Sequence, residues 1–220
     1  MILAINAYPK KIQIVAVVES WLHPDIPNNI VYIPGYTIIR SDRLNRIGGG
    51  VCVWCKETVY YEQIIPSCNQ PKEIETVFLS FHSYKSVMCF IYVPPNLKAS
   101  VYELINSFLI DTIDELLIMR PDTKICIIGD FNKMNTINLE AQCALVPLVC
   151  EMTRKNSILD QLFVPESSKS IMDVDMLSPI GGSDHSTIVM YPKTSTKPST
   201  TVNIVSTISE GITLTHSLIA

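Results

Sequence analysis

Apolar residues along this chain come in short runs of strand length, each closed by turn-forming residues. "IQIVAVVE" (12–19), "GGGVCVWCK" (48–56), "IETVFLSF" (74–81) and "SVMCFIYV" (86–93) are rich in β-branched and aromatic side chains and predict strands. "KICIIGDF" (124–131), "ILDQLFV" (158–164), "IMDVDML" (171–177) and "HSTIVMY" (185–191) predict four more. Several runs are almost continuously apolar, which implies burial on both faces of a sheet. Helical spacing appears in "NLKASVYELINSFLIDTIDELLIMR" (96–120), where Leu104, Phe108, Ile113, Leu116 and Leu117 share a stripe. Ser100 is its expected N-cap and Glu103 the partner in a capping box, with Pro121 as the stop. A second, shorter helix is predicted in "NLEAQCALVPLVCEM" (138–152), disturbed by Pro147. Two sheets of short strands with helices outside them fit this order, an α/β fold.

Composition narrows the classes. A chain of 220 residues with 47% hydrophobic content suits one domain with a core, plus a tail. The net charge of −4 argues against a protein that coats nucleic acid by charge alone, but allows a local grip on a few phosphates. Seven scattered cysteines, most inside apolar runs, read as reduced thiols of an intracellular protein. Cys52 and Cys55 have C-x-x-C spacing but sit in a predicted strand, where they would point to opposite faces. No secretion signal and no apolar stretch long enough for a bilayer is visible, so a cytoplasmic or nuclear, non-membrane protein is expected. From Lys193 onward Ser and Thr dominate, which predicts a loosely ordered tail over 193–220 with one weak strand near Val202 to Ile208.

The polar residues at strand ends carry the candidate chemistry. Glu19 closes the first run, Asp130 closes "KICIIGD" just before Asn132, Asp160 lies in "SILDQLF", and Asp184-His185 precedes the last strand. Strand ends in layered α/β proteins share a rim, where distant segments converge. Carboxylates gathered there repel one another unless a cation such as Mg²⁺ shares them. Each residue alone also has a plain explanation: a strand terminator for Glu19, a turn former for Asp130, a capping residue for Ser183, packing on Pro94 and Pro95 for Tyr92.

Taken in order, "ESWL", "IPGYTIIRSDR", "RIGGGVCVWCK", "IYVPPN", "IIGDFN", "TRKNSILDQLFV" and "PIGGSDHSTIV" form a set. The set resembles the endonuclease/exonuclease/phosphatase superfamily, and within it the endonuclease domain of non-LTR retrotransposons, over roughly residues 12–192. The resemblance implies a four-layer sandwich of two mostly antiparallel sheets flanked by helices. It also implies Mg²⁺-dependent phosphodiester hydrolysis (Mn²⁺ being the alternative ion), with DNA as the nicked substrate. By the same resemblance Glu19 binds the metal and Asp184 lies beside it. Asp130 activates water, Asn132 and Tyr92 bond the phosphate, and Asp160 holds the catalytic His185. Thr153 and Ser183 match supporting hydroxyls on the phosphate side. A reverse transcriptase would be a partner only within a parent element.

The N-terminus departs from that pattern. "MILAINA" can supply a first strand, with Asn6 in place, but "YPKK" is too short for the helix that should follow. Residues 1–11 are therefore expected to be an atypical or shortened N-terminus, leaving one sheet flank uncovered. Two alternatives stay open: a remnant that binds DNA or a protein without cutting, and a phosphatase acting on another phosphoester. Arg40, Arg43 and Arg46 read equally as DNA-backbone contacts or as a solvated loop.

Overall fold

Side chains on successive strand residues point to opposite faces, and here both faces of most strands are buried. The computed structural model describes Ile5, residues 7–44 and 46–193, and the backbone of Ile204–Ser206. In chain order the strands are β1 (Ile14–Val18), β2 (Tyr36–Ser41), β3 (Val51–Lys56), β4 (Glu62–Ile64), β5 (Glu75–Phe81) and β6 (Ser86–Tyr92). They continue with β7 (Lys124–Asp130), β8 (Leu145–Pro147), β9 (Asp160–Pro165), β10 (Met172–Leu177), β11 (Thr187–Pro192) and β12 (Ile204–Ser206). One six-stranded sheet runs β10-β11-β12-β1-β3-β2 and the other β4-β5-β6-β7-β9-β8. All neighbours are antiparallel except β6 with β7 and β1 with β12.

The sheets pack face to face. Val77, Leu79 and Phe81 of β5, Met88 and Phe90 of β6, Ile128 of β7 and Leu162 of β9 meet Ile14, Ala16 and Val18 of β1 and Val51 and Val53 of β3. The opposite face of the second sheet, including Phe78, Cys89, Ile91 and Ile127, is covered by α1 (Ala99–Met119) through Ile105, Phe108, Leu109, Ile113 and Leu116. Each fully buried side chain of this size contributes about 1.5–3 kcal/mol, which is why the seam outlasts weak local signals. Cys55 joins the core between the sheets and Cys52 the opposite face, as their spacing implied.

Three local expectations are corrected. The N-cap of α1 is Lys98 and makes no side-chain bond, so Ser100 lies inside the first turn and the expected capping box does not form. Leu104, placed on the apolar stripe by its spacing, is 56% exposed. The second helix, α2 (Ile137–Cys143), is only seven residues long. Ala144 ends it in the left-handed region, and the chain continues as edge strand β8, where Pro147 need not donate to a ladder.

The expected bare flank is also corrected. Val15, Val17, Cys52, Trp54 and Val189, on the outer face of the first sheet, are buried beneath Ile5, Leu22, Val31 and Ile33. A short 3-10 turn (Asn28–Val31) helps close this face, and Trp54 Nε1 donates to the Val31 carbonyl at 2.9 Å. Tyr8 and Tyr191 both donate to Asp175, at 2.6 and 2.7 Å, tying the N-terminal segment across β10 and β11. Among the described residues, then, a long helix covers one sheet, while Ile5 in helical conformation and the loop residues Leu22, Val31 and Ile33 cover the other. Asn6 and most of the expected tail over 193–220 lie outside the described residues. Among the described residues no helix is long and apolar enough to cross a membrane.

β12 falls within the stretch where a weak strand was predicted. It is the seam of the first sheet, because Val205 pairs with Val15 on one side and Val189 on the other. Without it β10-β11 would part from β1-β3-β2. Val205→Pro should therefore remove a ladder bond inside a sheet and cost about 3 kcal/mol in a urea melt. In the second sheet, a Cβ on Gly129 would lie 1.8 Å from the Ile91 carbonyl oxygen. Gly129→Ala should force β6 and β7 apart and cost about 4 kcal/mol or more, read in the same melt.

Candidate active site

The alternation that buries Met88, Phe90, Ile128, Leu162 and Val164 between the sheets continues to the strand ends, where the side chains become polar. Tyr92 is two residues beyond Phe90, Asp130 two beyond Ile128, and Asp160 two before Leu162. Registry then aligns them: Glu75 pairs with Tyr92, Tyr92 with Asp130, and Asp130 with Asp160. Four polar side chains thus form one rung across β5, β6, β7 and β9. Gly129 allows the close approach of β7 to β6 that sets Asp130 beside Tyr92.

Each end of the rung carries a cationic partner. At one end Arg43 makes a bidentate pair with Glu75, at 2.6 and 2.7 Å, and its guanidinium carbon stands 5.2 Å from the Tyr92 ring centroid. At the other end His185 Nδ1 bonds Asp160 Oδ2 at 2.7 Å. Asp130, Asp160 and His185 are 2%, 0% and 1% exposed, so none of the three is a surface group. Asp160 Oδ1 is buried with no hydrogen-bond partner.

Local turns aim these groups. Asn132 adopts φ 50°, and its backbone N–H donates to Asp130 Oδ1 at 2.8 Å. Its side-chain amide donates to Asp130 Oδ2 at 3.0 Å and to the Val93 carbonyl at 2.8 Å. Both amide hydrogens are therefore committed, and Asn132 orients Asp130 in this state. Thr153 Oγ1 accepts the backbone N–H groups of Leu159 and Asp160, at 3.0 and 3.1 Å, which holds the start of β9. Ser183 Oγ accepts the His185 N–H at 3.0 Å and shapes the turn into β11.

The first sheet supplies the mouth. Glu19 lies just past β1 at φ 54°, and its charge acts on Tyr92 and Asp130. Asp184, expected beside a metal, is held by Arg154 Nε at 2.7 Å, and its other oxygen is 3.9 Å from His185 Nε2. The compact group with metal-ligating atoms, all within 4.8 Å of one another, is Asp130, Asp160 and His185. Glu19 and Asp184, the residues expected at a metal, stand outside that group.

Burial and the neighbouring Asp160 carboxylate push the Asp130 pKa up to about 8, against the bond from Asn132 and the charge of His185. Burial alone would keep His185 neutral. Its bond to Asp160 and the charges of Asp160 and Asp130 outweigh that and raise its pKa above the usual histidine range. Burial, then Glu19 and Asp130, hold the Tyr92 hydroxyl firmly protonated, a donor and not a base.

Two residues of this constellation went unassigned in the sequence, and a third was read differently. Glu75 opens an otherwise apolar strand on its inward face, which is a usable signal. Arg43 is corrected from a loop or DNA-contact residue to a buried partner of that glutamate. Arg154 had no signal beyond its place after Thr153. Arg40 is likewise engaged, at Asp42 and at the carbonyls of Ile26 and His23, while Arg46 is exposed.

No protein-family model matches this chain, and no curated protein matches it in sequence. Solved structures do. The AP endonuclease of Leishmania major is 12% identical, covering 88% of this chain and 81% of its own, with a TM-score of 0.66. A 3′ phosphatase from Neisseria bound to a product DNA hairpin is 13% identical over 88% of this chain and 93% of its own, with a TM-score of 0.61. The endonuclease domain of TRAS1, a telomere-specific non-LTR retrotransposon, is 16% identical over 89% and 92%, with a TM-score of 0.59. At such identities the likeness is one of architecture: the chain shares the α/β sandwich fold of these nucleases and phosphatases.

Proposed function

We propose that this chain hydrolyses phosphodiesters and nicks DNA with a divalent cation, as the endonuclease of a non-LTR retrotransposon would. The observation that carries the reading is the meeting of buried Asp130, Asp160 and His185, with Asn132 and Tyr92 beside them, at strand ends from distant parts of the sequence. A packing role does not account for two adjacent buried carboxylates, one with an unpartnered oxygen. The similar solved structures carry nuclease and phosphatase names, and one holds DNA. The folded unit extends past residues 12–192, since Ile5 and Tyr8 close the first sheet and β12 completes it, and its place is inside the cell.

Hard oxygen donors fit a divalent ion here. Glu19 at the mouth and the free oxygen of Asp160 would hold Mg²⁺ or Mn²⁺, which binds through one or two carboxylates. When bound, such an ion supplies Lewis-acid charge to the phosphate. The rest is the work of the chain itself. Asp130, oriented by Asn132 and with a pKa near the working pH, takes the proton from the attacking water. His185, whose pKa is raised by its bond to Asp160, and the Tyr92 hydroxyl donate to the phosphoryl oxygens as charge develops on them. For its amide to reach the phosphate, Asn132 would have to release Asp130. Arg154 adds a cation at the rim. The reading of a non-cutting remnant drew on an uncovered flank, and that flank is covered.

With Mg²⁺ and supercoiled plasmid, the purified chain should yield the open-circular form on a gel, and EDTA should stop the reaction. His185→Ala should lower the rate about 100-fold or more. If wild type and His185→Ala convert plasmid equally, the assignment is wrong. A second expectation concerns stability without metal. Because folding raises the Asp130 pKa from 3.8 to about 8, its contribution is fully present below about pH 4 and is lost as pH rises toward 8. Asp130→Asn, which stays neutral, should therefore melt higher than wild type in EDTA at pH 8, with the gap closing near pH 4.

A further inference from the structure

We infer that Trp21 is the platform on which a DNA base flanking the cleaved phosphate stacks. The inference rests on the phosphodiesterase reading and adds to it a contact for the base. Trp21 is two residues from Glu19, yet its side chain is 46% exposed while Trp54 is fully buried. An indole left half in water forgoes stabilisation that the core could have supplied. Its backbone is also in an unfavourable state. Trp21 has φ 57°, a left-handed region that a bulky L-residue rarely enters.

That conformation is imposed by the neighbouring loop. Ser20 N–H donates to the Gly50 carbonyl at 3.2 Å and Trp21 N–H to the Gly49 carbonyl at 2.9 Å. The three glycines 48–50 all have positive φ, between 74° and 89°. A Cβ on Gly48 would stand 3.7 Å from the indole, so one face of the ring rests over a residue with no side chain. Gly50 is closed against Ser20, whose hydroxyl would lie 2.6 Å from an added Cβ. The ring thus lies against Gly48, and the main chain that carries it is fixed by two backbone bonds. Ile47, next to Gly48, is 90% exposed, and Arg46 beside it is exposed too.

A flat apolar surface, rigidly backed, one residue removed from a carboxylate of the candidate site, suits a nucleobase better than a sugar or a lipid chain. Base stacking on an aromatic side chain is sequence-tolerant, because every base has a π face. Glu19 and Trp21 share one short segment, so a phosphate at the buried rung leaves its neighbouring base at the indole.

The chain contains two tryptophans, and Trp54 is sealed in the core, so emission changes on binding report Trp21. The test is titration of a fluorescein-labelled DNA duplex in EDTA, following label anisotropy, with indole emission read on an unlabelled duplex of the same sequence. The expected result is binding accompanied by quenching, with Trp21→Phe binding like wild type. In Mg²⁺, Trp21→Ala should raise KM about tenfold, equivalent to ~1.4 kcal/mol, with kcat within about twofold of wild type. Binding without quenching, or an unchanged KM in Trp21→Ala, overturns the stacking role and leaves the nuclease reading standing. Absence of any DNA binding by anisotropy overturns both.

Discussion

A single rung of polar side chains across the second sheet organises this molecule. Glu75, Tyr92, Asp130 and Asp160 are neighbours in register on four strands, and all face the first sheet. Placing carboxylates side by side in a region otherwise filled by Leu, Ile and Phe is unfavourable unless charge is balanced. Arg43 balances one end and His185 the other, while Asp130 in the middle meets the cost by holding its proton to an unusually high pH. What is poorly compensated for stability is available for chemistry. Asp160's unpartnered oxygen and Asp130's raised carboxyl are the groups the proposed reaction uses.

The two sheets divide the labour. The second sheet supplies the buried rung, with short parallel pairing of β6 and β7 that only a glycine permits. Loops at the ends of β1 and β11, in the first sheet, supply the mouth: Glu19, Trp21, Asp184 and His185. The connection between the sheets is apolar, and the catalytic candidates sit where that packing ends. Rigidity of the core is therefore what holds groups from opposite layers in one place. β12 extends this argument, since it joins the β10-β11 pair that flanks His185 to the strand that ends before Glu19.

Much of the fold was legible in the sequence for a simple reason. Eight of the strands were predicted from their apolar runs, because burial on both faces leaves little room for other patterns. Those that were not predicted, β2, β4 and β8, are short or lie at sheet edges, where fewer apolar positions are demanded. α2 was drawn too long because the apolar residues after Cys143 suit a helix and a strand equally well. The left-handed turn at Ala144 decided between them. The covering of the first sheet was not legible because irregular segments carry no period to detect, although Leu22, Val31 and Ile33 bury this face.

For the site, sequence alone determined which residues carry chemistry: polar groups at the ends of buried strands, in an order shared with a known superfamily. It could not determine partners. Arg43 lies 32 residues from Glu75, Arg154 lies 30 from Asp184, and Asp160 lies 25 from His185. Those pairings, and the pKa shifts that follow from them, arise from strand registry and from how much water the two sheets exclude. Neither is encoded in any one stretch of chain. Residue type is a local property, while charge state and distance belong to the packed whole, so the folded arrangement alone decided that Asp130 is a poised carboxyl, Asp184 an arginine's partner and Trp21 an exposed ring.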